Sequence, residues 1–243
     1  VFAAGAAVGH PAANAVTLTG FTHNWQTLNN CGPAVLAMNL NYYGGSYTQE
    51  SIAGIIHPSV QDQNVRPDEL ARYAAAQGGQ ATLRVNGTAN ILRLLLSNGI
   101  PVLIETWESD DPANLDAGFA HFRLVTGYDD ARQQWIMYDS YFTRDLVNPG
   151  GDYQGMWVSY GRAEELWRIT NHKYVLIYPS EKAPIVEQIL GRDLDDTAMW
   201  QRAEQQARAD LAQQPNDRFA WFNLGSSLFA QGKIGRASCR KRV

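Results

Sequence analysis

One cysteine stands at the head of an apolar helix pattern, in WQTLNNCGPAVLAMNLNYYGG (residues 25–45), and the only other, Cys239, lies in a basic terminal stretch of unlike composition. Two such cysteines give no disulfide framework. A lone thiol is most often a small buried hydrophobe. At a helix N-terminus, however, unpaired N–H groups and the positive end of the dipole stabilise an anion, and the thiolate is the nucleophilic form of cysteine. Asn30 is placed to cap the helix, and Gly32 has no side chain to block an approaching substrate. Pro33 falls in the first turn, where a missing N–H costs nothing. The chemistry these residues point to is nucleophilic attack by Cys31.

A thiol nucleophile needs a base, and the base needs an orienting partner. Of the five histidines, His10 lies in an Ala- and Gly-rich leader, His57 precedes a proline in a polar loop, His172 sits in a polar turn and His23 lies in the approach to Cys31. His121 differs because it opens a β-type run, HFRLVTGYDD, where a strand would hold it rigidly. The following run offers Asp139 in MYDSY, an acid between aromatics that is costly to bury unless paired. Attack on a carbonyl also needs donors aimed at the developing oxyanion. The Cys31 backbone N–H is one and the Gln26 side chain, five residues upstream, is another, with Asn29 and Asn30 as rivals.

The elements that must position these groups follow from periodicity. Apolar spacing predicts a helix over residues 31–43 stopped by Gly44 and Gly45. A second is expected after Ser46, with Gln49 completing a capping box, a third from Pro67 and a fourth in TANILRLLLSNG. The pattern then changes to short apolar runs, IPVLIETW, HFRLVTGYDD, QWIMYDSY and KYVLIYP, which read as strands, with a short helix in GRAEELWR before the last. Helices first and strands afterwards predict an α+β domain with a largely antiparallel sheet. Most of the seven tryptophans are expected to be core or rim packing; Trp107, which ends a strand before the polar loop ESDDPANLDAGFA, is the best cleft candidate among them, and that loop is a candidate lid.

The blocks WQTLNNCGPAVLAMNLNYYG, GIPVLIETW, HFRLVTGYDD and WIMYDSY, in that order, resemble the bacteriocin-leader-processing peptidases, cysteine peptidase family thirty-nine, and especially their stand-alone bacterial relatives of papain-like fold. The resemblance covers about residues 20–180. It implies a papain-like cysteine peptidase in which Cys31 is the nucleophile, His121 the general base, Asp139 the orienting acid and Gln26 the oxyanion donor, with no cofactor. The Gln26 to Cys31 spacing is one residue shorter than in papain. No exporter sequence accompanies the domain, so cleavage of double-glycine leaders is not carried over. The expected activity is hydrolysis of a peptide or isopeptide bond in a peptide or protein substrate, through a thioester. The alternatives are acyl transfer by the same residues and a non-catalytic peptide-binding module.

Beyond Pro179 the strand signals stop. Residues 1–18 are expected to be a flexible leader or signal remnant, 19–180 the peptidase-like domain, 181–197 a charged linker and 198–232 part of a tetratricopeptide repeat, since Trp221, Leu224, Gly225 and Leu228 match that repeat's spacing. Such a segment would recruit a protein partner. Residues 233–243 carry five basic side chains and no acid, and read as a cloning or sequencing scar. The net charge of −4 therefore understates how acidic the rest of the chain is, which argues against a nucleic-acid partner. No apolar run reaches the roughly 18 residues needed to span a bilayer. The resemblance implies a bacterial protein, and the Ala- and Gly-rich start makes a secreted or envelope-associated one the expectation, with the cytoplasm as the alternative. One credible cysteine among scattered histidines offers no metal-ligand spacing.

Overall fold

The computed structural model describes residues 13–57, 59, 64–109, 111, 114–142 and 155–235, so His10 and Cys239 fall outside the described residues. Along the chain run β1 (Ala15–Thr17), α1 (Cys31–Tyr42), α2 (Gln49–Ile56), α3 (Pro67–Ala76), β2 (Gln80–Arg84), α4 (Ala89–Ser97), β3 (Val102–Glu108), β4 (Phe119–Asp129) and β5 (Gln134–Asp139). They are followed by β6 (Met156–Ser159), α5 (Tyr160–Arg168), β7 (Tyr174–Tyr178), α6 (Ala183–Leu190), α7 (Asp196–Gln213) and α8 (Arg218–Ala230). The strands form one antiparallel sheet in the order β2-β7-β3-β4-β5-β6, with β1 added against β4.

Alternation along the strands gives the sheet two apolar faces, and each is covered by helices. Leu103, Phe122, Leu124, Val175 and Ile177 pack against α1 and α3, while Val102, Ile104, Val125, Met137 and Leu176 pack against α4, α5 and α6. The four runs read as strands are β3, β4, β5 and β7. Helices cover both faces because α4 lies across the sheet from α1 and α3.

Three expectations meet a different structure. The leader expected over residues 1–18 ends in β1, whose Thr17 pairs with Gly127 and which continues through a Leu18 N–H to Thr126 O bond of 2.8 Å. The second helix starts at Gln49, capped by Thr48 in a capping box with Ser51, because the Thr48 hydroxyl reaches the Ser51 N–H. The linker expected over residues 181–197 contains α6, whose Val186 and Leu190 are buried in the core beside the sheet. No helix among the described residues is long and apolar enough to cross a membrane.

Candidate active site

Helix α1 is buried on every side from Gly32 through Leu40, Asn39 included, so packing fixes its N-terminus while Cys31 stays partly exposed. Asn30 occupies the cap position but makes no capping bond to the helix. Its side chain turns away, donating to Thr27 Oγ1 at 2.6 Å and meeting His57 Nε2 through Oδ1 at 2.9 Å. The expected side-chain cap is therefore absent, and the reason is that Thr27 and His57 hold the amide. The Cys31 and Gly32 N–H groups have no acceptor among the described residues, Pro33 has none to offer, and the first turn contains no acid. The positive helix end is thus left open beside the thiol. Gly32 is explained by packing rather than by substrate access: a Cβ there would lie 3.2 Å from Val65 and 3.3 Å from Leu70.

His121 and Asp139 are brought together by register. Arg123 pairs across the ladder with Asp139, and His121 lies two residues earlier on β4, on the same sheet face. His121 Nε2 contacts Asp139 Oδ1 at 2.9 Å, with the two residues 1% and 0% exposed. This engagement leaves Nδ1 for the interaction of the imidazole with Cys31. Burial by itself would drive the imidazole toward its neutral form, but the Asp139 charge and hydrogen bond, helped by Cys31, outweigh it and hold His121 up to about 10. Burial would likewise raise the Asp139 carboxyl, but the His121 and Arg123 charges, with hydrogen bonds from His121 and the Phe142 N–H, keep it well below the usual carboxylate range. The rings of Phe119, Tyr141 and Phe142 stand edge-on around the imidazole.

Gln26 reaches the site through Ser140, the residue after Asp139. The Gln26 N–H donates to Ser140 O at 2.9 Å, and the Ser140 hydroxyl donates to Gln26 Oε1 at 2.9 Å. The amide is thereby oriented with Nε2 unoccupied among the described residues. Asn30 is removed as a rival because its amide is engaged, while Asn29 lies half buried with φ of 62° in the turn before α1.

Several supporting groups were not identified as such from the sequence. Buried Gln49 holds the approach loop by accepting from the Thr27 N–H at 2.8 Å and hydroxyl at 3.2 Å, while donating to Asn24 Oδ1 at 2.8 Å and Trp25 O at 2.7 Å. All of its hydrogen-bonding capacity is thus used on one segment. Arg123 donates from Nε to Asp139 Oδ2 at 2.6 Å. His23 meets the Asp139 carbonyl through Nε2 at 2.7 Å, and His172 pairs with Glu164 at 2.8 Å, so neither takes the place of His121 beside Cys31. The H-x-R alternation of β4 was the available clue to Arg123.

Trp107, the cleft candidate, is engaged elsewhere. Its Nε1 donates to Leu115 O at 2.8 Å and its ring packs on Phe219 of α8, because the β3–β4 loop is drawn toward the C-terminal helices. Asp116 in that loop pairs with Arg218, and Gly118 leaves room for the indole. The described part of the candidate lid is therefore tethered through Leu115 and Asp116 of a short 3-10 turn, Leu115–Ala117.

The model of the Peptidase_C39 like family matches residues 18–165. A solved structure described as a C39-like peptidase from Bacillus anthracis is 17% identical, covering 67% of this chain and 96% of that one with a TM-score of 0.54, a likeness of fold. The peptidase domain of Streptococcus ComA, a bifunctional transporter, matches at 16% identity over 65% of this chain and 96% of its own, with a TM-score of 0.47. Xylellain, a cysteine protease from Xylella fastidiosa, matches at 13% identity over 69% of this chain and 86% of its own, with a TM-score of 0.49. No curated protein matches the chain significantly.

Proposed function

This chain belongs to the Peptidase_C39 like family and is a cysteine peptidase, and from that premise we propose that Cys31 is its nucleophile, His121 its general base and acid, Asp139 the orienting acid and Gln26 the oxyanion donor. One observation carries the reading: a single buried imidazole contacts Asp139 Oδ1 and is held up by Cys31 as well as by that carboxylate, Cys31 standing at the open end of α1. The reacting form of the pair has the proton on His121 and the sulfur as thiolate. The sulfur attacks the scissile carbonyl carbon, and the electron pair of the C=O moves to oxygen. The Cys31 N–H and Gln26 Nε2 receive that oxyanion. Collapse breaks the C–N bond while the imidazolium gives its proton to the departing amine, leaving a thioester on Cys31. His121 then takes a proton from water as the water attacks the thioester, releasing the acid and restoring the thiolate.

The substrate is a peptide or protein chain, a reading supported by the family and by the partly exposed position of Cys31 at the protein surface. The α7–α8 pair is read as part of a tetratricopeptide-like segment that receives a protein partner. Its support is the antiparallel packing of Ala207 and Leu211 against Ala220 and Leu224, together with the exposed Trp221, Phe222 and Phe229 on α8.

A thiol-directed epoxide probe near neutral pH tests the assignment. Adducts should form on Cys31 ahead of Cys239, and His121→Ala should slow the labelling of Cys31. Equal labelling in both proteins would overturn it. Gln26→Ala should lower kcat by about 10²–10³-fold with little change in KM, whereas an unchanged kcat would remove Gln26 from the oxyanion role.

A further inference from the structure

Beyond the four groups of the proposed mechanism, the sheet face that holds His121 and Asp139 carries two buried charges that the chemistry does not use directly. In the ladder, Ile104 faces Arg123, Thr106 faces His121 and Glu108 faces Phe119, so Glu108, Thr106, His121, Arg123 and Asp139 share one face across three adjacent strands. Arg123 is 0% exposed and Glu108 2% exposed. Arg123 Nη1 lies 3.2 Å from Glu108 Oε1 and its Nε lies 2.6 Å from Asp139 Oδ2. The charges therefore alternate from His121 imidazolium through Asp139 carboxylate and Arg123 guanidinium to Glu108 carboxylate.

The two oxygens of Asp139 have different duties. Oδ1 accepts from His121 and from the Tyr141 and Phe142 N–H groups at 2.8 and 3.0 Å, which fix the carboxylate plane. Oδ2 has Arg123 as its contact among the described residues, with the Phe142 ring 5.5 Å from the guanidinium and closing over it. Neither Nη1 nor Nη2 makes a hydrogen bond among the described residues, so the Glu108 contact is one of charge. A buried ion pair of this kind is a poor source of stability compared with apolar packing of the same volume. Its place behind the catalytic acid gives it a different use.

We propose, on the reading of Cys31, His121 and Asp139 given above, that Arg123 backed by Glu108 is a positioning residue that sets how much negative charge Asp139 presents to His121. With Arg123 in place the carboxylate divides its charge between two cations, so the imidazolium is held beside Cys31 and still surrenders its proton to the leaving amine. With Arg123 neutralised, the whole carboxylate charge falls on His121, which grips its proton too firmly. With Glu108 neutralised, the guanidinium charge is uncompensated and repels the imidazolium. The titratable and charged groups facing His121 and Asp139 are Cys31 from α1, His23 from the loop before it, Arg123 on β4, Glu108 on β3 and Tyr141 after β5.

The test is the titration of the His121 imidazole by NMR in the full chain, with kcat and KM on a peptide substrate alongside. Arg123→Gln should move the midpoint upward and Glu108→Gln should move it downward, each by about one pH unit for charges a few ångströms away in a partly screened interior. Arg123→Lys should return it close to the parent value, and kcat should fall in Arg123→Gln with KM little changed. A purely structural pair would shift both midpoints in one direction or neither, and that result overturns the proposal. If Arg123→Gln does not fold, Glu108→Gln and Arg123→Lys decide alone: no downward shift in the first overturns it. Selective labelling of Cys31 in the parent protein is scored separately. Its failure would sink the nucleophile while leaving the midpoint shifts as evidence on Arg123.

Discussion

At the scale of single residues, the His121–Asp139 pair has a consequence for stability that can be read with its sign. His121 is held up to about 10 in the folded protein, against about 6.5 in an unfolded chain. The native state therefore keeps a proton that the unfolded state has lost, and stability falls with rising pH through that interval by up to about 1.4 kcal/mol per pH unit. The contribution is fully present below about 6.5. Asp139 works in the opposite sense, since its depressed carboxyl stabilises the fold above about pH 4 and that stabilisation is lost as the pH falls further. Urea midpoints measured across pH should form a plateau between these limits with a decline toward pH 10, and His121→Gln should flatten the alkaline decline. A parent protein equally stable at pH 7 and pH 10 would contradict the pairing. Cys31, His121 and Asp139 could be singled out as candidates in the sequence because each carries a local signal: a thiol at a helix start, an imidazole at a strand start, an acid among aromatics. Arg123, Glu108, Gln49 and Ser140 were not, because their meaning lies in register and in loop closure across distances of 15 to 114 residues.

At the scale of elements, what was legible followed burial. Strands β3, β4, β5 and β7 are central and apolar, so their runs stand out. Strands β1 and β2 are edge strands, three and five residues long with mixed burial, and their identity comes from the neighbour they pair with. For β1 that neighbour imposes a requirement on β4. Gly127 sits at a register shift between Val125 and Gly127, and a Cβ there would lie 2.4 Å from Val16 O and 3.0 Å from Ile136. The glycine of the GYDD motif thus gives β1 room to lie against β4. Gly127→Ala should cost about 1–3 kcal/mol as overpacking, a fall of roughly 3–10 °C in Tm for a chain of this size. Hydrogen exchange should locate the damage in Ala15–Leu18 while the amides around His121 keep their protection. Unchanged protection of Ala15–Leu18 would show that β1 does not depend on Gly127. The sequence also placed a charged linker where α6 lies, because SEKAPIVEQILGRDLDDTA is polar on average. Its apolar residues are few, but Val186 and Leu190 fall on one side and both are buried.

For the whole molecule, α6 changes how the C-terminal helices relate to the peptidase domain. The chain leaves the core through α6 and enters α7 after a short 3-10 turn, and the α7–α8 pair docks back through several independent contacts. Met199 and Ala203 bury against Val85, with the Val85 N–H 3.3 Å from the Met199 sulfur, and Asp196 pairs with Arg84. On the other side Arg168 pairs with Asp217 at 2.8 Å, the Asn223 amide donates to Arg168 O at 2.7 Å, and Asn171 reaches Ser227 at 3.3 Å. The Trp107 and Arg218 contacts described above add the β3–β4 loop, which leads directly into His121. A helical pair anchored at this many points should unfold with the sheet, so calorimetry should show one transition over the described chain. Met199→Ala removes a buried side chain at the centre of the docking surface and should cost about 2–5 kcal/mol, lowering that single transition by roughly 5–15 °C. If the helices were a separate repeat array, two transitions would appear and Met199→Ala would move only the smaller. The same variant separates docking from catalysis, because Met199 touches strand-end and loop residues remote from Cys31. Loss of peptide turnover in step with loosened hydrogen exchange in the β3–β4 loop would mean that the helices hold His121's approach in place, whereas full turnover with that loop still protected would confine their role to stability.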